Sequence, residues 1–375
     1  MSEDASSSKP FGDIALCLSG GGFRAATYAL GTLQMLNELS LLKDVKLLST
    51  VSGGTFAGVA YAVSQSEEQE FDKFFERFSS FLLNTNAIEN ALKALCATPS
   101  PSGAKGVSLI RSAAASYSAT LFGDQTFKQL LNITKPNGRF KELIFNSTEF
   151  RQGNSFRFRA SSNSDAFIGN GKYAVPLSVA EGIFLADIVA ASSCFPGVFE
   201  PIYFPDDFRW KCSLDIVREA LLENISNPAS EMEYLNGFNV CGVCMPIPLM
   251  DGGVYDNQGI SNAVSADKNI AFDLFLITDT SPREEEMLKA PGWDSSGLRW
   301  LSVKLLFWLA AFIPDLSSLH RNSYLFLLQR LSSSGTRICG LRDVSLTSDS
   351  SDRDAWLDLL QICNGPKNCL FWSSI

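Results

Sequence analysis

Two short apolar runs, each ending in a cluster of glycines and each followed at once by helical periodicity, leave this 375-residue chain few folds to choose from. The first run is Ile14 to Leu18. It meets Gly20, Gly21 and Gly22, and then a segment from Arg24 to Leu39 in which Tyr28, Leu30, Leu33, Leu36 and Leu39 recur at roughly helical spacing. The second run is Lys46 to Val51, followed by SGGT and a helical pattern from about Thr55 to Val63. Short unbroken apolar runs read as buried strands. Strand, turn and helix twice over within the first 65 residues predict an α/β domain on a mostly parallel sheet.

The chain after residue 65 changes character. Residues 65–155 hold an acidic patch (Glu67, Glu68, Glu70), a TPSPSG break and few strand signals, and are expected to be a mostly helical insertion or cap. FRFRASS (Phe156 to Ser162) alternates as a strand does. Leu177 to Phe204 reads as a helix stopped near Pro196, then a strand, and Asp206 to Met245 as a polar insertion. Ile247 to Ile260 reads as a strand entering a glycine turn, and Ala271 to Ser281 as a strong buried strand. The expected organisation is a polar tail over 1–12, an α/β domain over 13–284, and a helical C-terminal region over 285–375.

Composition narrows the function. Apolar residues make up 46%, enough for one large core. A net charge of −9 argues against nucleic-acid binding driven by bulk charge. The first residues are polar and acidic, without the apolar stretch of a secretory signal. The longest apolar stretch, Leu305 to Ile313, is ended by Pro314 and is too short to span a bilayer. It reads as a core helix, with an interfacial helix as the alternative. Nine cysteines, an odd number, suggest free thiols in a reducing, cytoplasmic setting. The lone C-x-x-C of Cys241 and Cys244 has no second pair, and the chain has one histidine, so neither metal nor cofactor is expected.

The two glycine turns carry the chemistry. SGGGFRA is neither the dinucleotide pattern nor a Walker loop, since the third spaced glycine and the G-K-[ST] are missing. STVSGGT has the layout of a nucleophile elbow, with Ser52 between a strand and a helix and with the small neighbours Gly53 and Gly54. The alternative is a capping serine in a plain turn. Thr50 stands where the elbow pattern has its first glycine, and a β-branched residue there threatens to crowd the turn. A nucleophilic serine needs a base and an oxyanion site. Asp251, in the MDGG turn, is the candidate base, although Asp-Gly is also a common turn dipeptide. Gly20, Gly21 and Gly22 offer bare N–H groups for an oxyanion, and Arg24 a guanidinium for a substrate phosphate.

SGGGFRA (Ser19 to Ala25), TVSGGT (Thr50 to Thr55), ASSCFPGVFEP (Ala191 to Pro201) and DGG (Asp251 to Gly253), in this order, resemble the patatin-like phospholipases and the related cytosolic phospholipase A2 catalytic domains. The resemblance implies a three-layer α/β/α fold. It implies Ser52 as nucleophile with Asp251 as its only base, an oxyanion hole at Gly20, Gly21 and Gly22, and Arg24 on the substrate phosphate. The expected function is a metal-independent lipid acyl hydrolase that meets phospholipid transiently at a membrane surface. Its oligomeric state is open. Two rivals stand beside it: a Ser-His-Asp esterase using His320, and a non-catalytic member that binds lipid or a partner in the same pocket.

Overall fold

The computed structural model describes residues 10–85, 90, 93, 108–163, 165–196, 198–224, 246–265, 272–280 and 337–341. The first strand, β1 (Ile14–Leu18), is buried on both faces and passes through the glycines into α1 (Gly22–Glu38). β2 (Val45–Val51) leads in the same way into α2 (Gly53–Ser66). β1 pairs in parallel with β2 on one side and with β9 (Leu274–Thr278) on the other. β9 pairs in parallel with β10 (Arg337–Leu341), and β2 with β3 (Glu142–Glu149). Antiparallel strands finish the sheet beyond β3: β4 (Asn154–Ser161), β5 (Phe167–Gly169) and β6 (Ala174–Pro176). The fold is α/β, with a central, mostly parallel sheet flanked by helices.

Alternation along the strands assigns the two faces. Ile14, Leu16, Leu18, Leu48, Phe145, Phe156 and Phe158 belong to the larger core, with α1 and α2 packed on it. Ala15, Cys17, Leu47, Ile144 and Ile277 point the other way and meet Ile260 and Ala263 of a short helix, Ile260–Val264. On the larger face α3 (Phe71–Asn84) buries Phe74, Phe78 and Phe81, spaced four and three residues apart on one stripe. Burial of each such ring contributes about 2–3 kcal/mol. Two further helices, α4 (Leu109–Tyr117) and α5 (Phe127–Ile133), belong to the same layer.

Three expectations are corrected here. The stretch 65–155 carries helices, but it also ends in β3, a buried strand in the middle of the sheet. Its sequence ELIFNSTE mixes polar and apolar residues. The pairing that buries Asn146, Ser147, Thr148 and Glu149 comes from distant strands and leaves no local signature. The helix read from Leu177 is two pieces, Leu177–Ala180 and α6 (Leu185–Ser192), because the chain turns at Gly182 and Ile183 bridges to Trp210. In the C-terminal region expected to be helical, 337–341 is a strand. The tail 1–9, His320, the apolar stretch 305–313 and the Cys241–Cys244 pair lie outside the described residues.

β3 outruns β2, and that positions the site. Its residues Glu142 to Asn146 pair with Leu47 to Val51 of β2. Its next three, Ser147 to Glu149, pair antiparallel with Asp251, Met250 and Leu249 of β8 (Ile247–Asp251), which also pairs with β7 (Ile202–Phe204). Where β2 stops, β8 takes up the same side of β3 from the opposite direction. The C-terminal ends of β2 and β8 therefore meet head-on.

Candidate active site

Ser52 stands at that meeting point, between β2 and α2, with φ 50° and ψ −117°. A positive φ is a strained conformation for a residue with a side chain and costs of order 1–3 kcal/mol. The neighbouring glycines are demanded by close approach: a Cβ on Gly53 would lie 1.9 Å from the carbonyl oxygen of Gly22. The two glycine turns of the sequence thus pack on each other.

The Ser52 hydroxyl donates to Asp251 Oδ2 at 2.6 Å. Asp251 Oδ1 accepts from the Gly253 N–H at 2.7 Å. Asp251 is held at its backbone as well: its N–H donates to the Cys194 carbonyl at 2.9 Å, and its carbonyl accepts from Thr148 Oγ1 at 2.8 Å. Ser52 is 7% exposed and Asp251 3%. Burial pushes the Asp251 carboxyl up from its ordinary value to about 6, against the opposing pull of the Ser52 hydroxyl and the Gly253 N–H. It is ionised near neutrality and close enough to it to take a proton in a reaction.

The pair opens on a cavity of about 340 Å³. Phe23, Phe56, Tyr117, Phe195, Val198 and Phe199 make its walls apolar, and Gly21, Gly22 and Gly53 also line it. The amides of Gly22 and Gly53 begin helices α1 and α2, whose N-terminal dipoles favour negative charge.

The sequence pattern of the patatin-like phospholipase family matches residues 16–264, about two thirds of the chain, and takes in both glycine turns and Asp251. The chain belongs to the patatin-like phospholipase family. Its fold is also similar to that of human GIVD cytosolic phospholipase A2, at 13% identity and TM-score 0.43, over 75% of this chain and 47% of that one. The same human enzyme in complex with methyl gamma-linolenyl fluorophosphonate gives 14% identity and TM-score 0.42, over 73% and 41%. VipD from Legionella pneumophila gives 12% identity and TM-score 0.30, over 94% and 67%. The chain spans less than half the length of the human chains. No curated protein matches it at the level of sequence.

Within this patatin-like site, two residues singled out from sequence are placed differently. The Gly20 N–H already donates to the Asn257 carbonyl at 2.8 Å, so it is not aimed at an oxyanion. The Arg24 guanidinium donates to the Thr280 carbonyl, and Arg24 is not among the described residues lining the cavity. It ties the start of α1 to the segment after β9. Gly54 packs under the turn, where a Cβ would lie 2.6 Å from the Leu18 carbonyl oxygen.

Other residues matter that motif reading passed over. Ser192, the last residue of α6, accepts the Ser52 N–H at 3.0 Å and donates to the Asn146 carbonyl at 2.6 Å. Its hydroxyl lies 2.8 Å from that of Thr55, which lies 2.9 Å from that of Thr50. Ser192 has spent its proton on Asn146, so Thr55 donates to Ser192 and Thr50 to Thr55. Thr50 is therefore part of the elbow's support. The serine in ASSCFPG was the available signal, but nothing local says that it reaches Ser52. Cys194 and Cys17 are buried, and burial pushes both thiols far up, which makes them structural rather than reactive.

Proposed function

We propose that the chain is a lipid acyl hydrolase that cleaves carboxylic ester bonds of phospholipids through Ser52 and Asp251. The observation that carries this reading is the 2.6 Å bond from the Ser52 hydroxyl to a buried carboxylate at the floor of an apolar cavity. In the proposed reaction Asp251 accepts the Ser52 proton as Oγ attacks the ester carbonyl. The developing oxyanion is held by the N–H groups of Gly21, Gly22 and Gly53, each such donor contributing on the order of 3 kcal/mol. Collapse of the intermediate breaks the ester C–O bond, and Asp251 returns the proton to the leaving alkoxide. A water then gives its proton to Asp251 and attacks the acyl-serine, releasing the fatty acid and restoring the Ser52 hydroxyl.

The choice of lipid over a small ester rests on the cavity. Its aromatic walls suit an acyl chain, and Phe23 and Phe195 at its edge are 39% and 48% exposed. Exposed aromatics beside an apolar cavity favour contact with a lipid surface, peripheral and transient. Fatty-acid release from mixed phospholipid vesicles tests the reading. Release by the wild type, lost in Ser52→Ala and Asp251→Asn, is expected. Unchanged release by either variant would defeat it.

A further inference from the structure

A second cavity, of about 370 Å³, lies on the smaller face of the sheet. Among the described residues it is lined by Asn154, Ser155, Arg157, Asn170, Lys172 and Asn262, with Gly169 and Gly171 beside them and no carboxylate. Arg157 and Arg159 project from the same face of β4, and they share one buried carboxylate. Glu142 is taken by Arg159 through two bonds of 2.8 and 2.7 Å. Arg157 is left with a long bond from Nη1 to Asn262 Oδ1 at 3.3 Å and a stacked position 5.5 Å from the Phe167 ring. Its Nε is buried and has no acceptor among the described residues. A buried guanidinium N–H without an acceptor is rare in folded proteins and calls for an explanation.

Two neutral groups near Arg157, Ser155 and Asn170, have acceptors already engaged and donors left over. Ser155 Oγ accepts from Asn262 Nδ2 at 2.6 Å, so its own proton is turned elsewhere. Asn170 Oδ1 accepts the N–H groups of Lys172 and Tyr173 at 2.8 and 2.9 Å, which leaves its Nδ2 hydrogens over. Asn262 is bonded onward, from Nδ2 to Asn146 Oδ1 at 2.7 Å. Asn146 in turn holds the Thr50 carbonyl through Nδ2 at 2.9 Å, and its own carbonyl accepts from Ser192. Arg157, Asn262, Asn146 and Ser192 thus form one chain of hydrogen bonds from this cavity to the Ser52 N–H.

We propose that the Arg157 cavity binds a phosphate-class anion, free or as a lipid headgroup, and that its occupant steadies the Ser52 elbow through Asn262 and Asn146. The Arg157 guanidinium, a hydroxyl and an amide donor match the several oxygens of a phosphate or pyrophosphate better than a single carboxylate. An anion that draws Arg157 into the cavity pulls on Asn262, and through it on the residue that fixes Ser192. The effect on catalysis rests on the hydrolase reading above, whereas the binding does not.

The test is calorimetric titration of the full chain with inorganic pyrophosphate, beside co-sedimentation with phosphatidylcholine vesicles doped with phosphatidic acid. Either arm supports the site if binding is at least tenfold weaker in Arg157→Gln, with Arg157→Lys retaining part of it. Pyrophosphate binding assigns a free anion, and binding to doped vesicles alone assigns a headgroup. Thermal unfolding shows whether Arg157→Gln is folded; if it is not, Asn170→Ala replaces it with the same expectation. Absence of binding in both arms, or equal binding by the folded variants, would overturn the site. Turnover of a soluble neutral ester is then measured with saturating pyrophosphate or doped vesicles, whichever binds. A rise of twofold or more in wild type, absent in Asn262→Ala, supports the coupling, and unchanged wild-type turnover overturns it. A chain that hydrolyses no ester at all fails the hydrolase reading and leaves the binding result standing.

Discussion

Thr50 rests its methyl group against Gly58, at a distance where a Cβ on the glycine would lie 2.5 Å from Thr50 Cγ2. The β-branched residue that threatens to crowd the elbow is accommodated one helical turn into α2, by a residue with no side chain. Gly58→Ala is therefore expected to push Thr50 and the elbow apart, lowering stability by about 1–3 kcal/mol and ester turnover by at least tenfold. Adding Thr50→Ser removes the methyl, keeps the hydroxyl and should restore most of both. Denaturant unfolding and turnover of the four proteins in the cycle check this. A double variant as impaired as Gly58→Ala would show that the contact is not the cause.

Ser192→Ala removes the acceptor of the Ser52 N–H and the donor to Asn146. An unsatisfied buried N–H costs about 1–3 kcal/mol. The loss should fall on kcat with little change in KM, because Ser192 touches the elbow and not the cavity. A rise in KM alone would place Ser192 in substrate binding instead.

The pH dependence follows from Asp251. Its carboxyl is raised by burial from an ordinary value near 4 to about 6, so the folded state holds the proton more tightly than the unfolded chain does. The contribution to stability is fully present below pH 4, is lost as pH rises through 6, and stays lost above it. Activity runs the opposite way, since only the carboxylate accepts the Ser52 proton. Turnover should fall on the acid side with an apparent pKa near 6. Asp251→Asn should abolish turnover and raise the melting temperature at pH 8, with the gain shrinking toward pH 4. Equal stability of the two proteins at pH 8 would contradict the buried-charge account.

The exposed aromatics at the mouth separate lipid contact from chemistry. Phe195→Ser should reduce fatty-acid release from vesicles severalfold while leaving turnover of a short soluble ester within about twofold. Equal losses on both substrates would show that Phe195 serves the ester reaction itself and not contact with the lipid surface.

The sequence made legible what is local. An apolar run ending in glycines is enough to place β1, α1, β2 and α2, and the turn chemistry singles out Ser52 and Asp251. What stayed hidden depends on which distant strands pair. ELIFNSTE looks like part of a helical cap until β2, β4 and β8 all bond to it. That pairing brings Asp251 to Ser52, and it brings Asn146 beneath both Ser192 and Thr50. The same holds for Gly20, whose N–H is satisfied by the Asn257 carbonyl, 237 residues further on. Arg24 reads as a free cation until the Thr280 carbonyl is found beside it.

The most direct measurement of the central claim, a nucleophilic Ser52 driven by Asp251, is covalent trapping. The full chain would be treated at pH 8 with a long-chain fluorophosphonate, and the added mass located by peptide mass spectrometry. One adduct on the peptide carrying Ser52 is predicted, absent in Ser52→Ala and formed at least a hundredfold more slowly in Asp251→Asn. An adduct on another residue, with Ser52→Ala still labelled and still releasing fatty acid, would contradict the account.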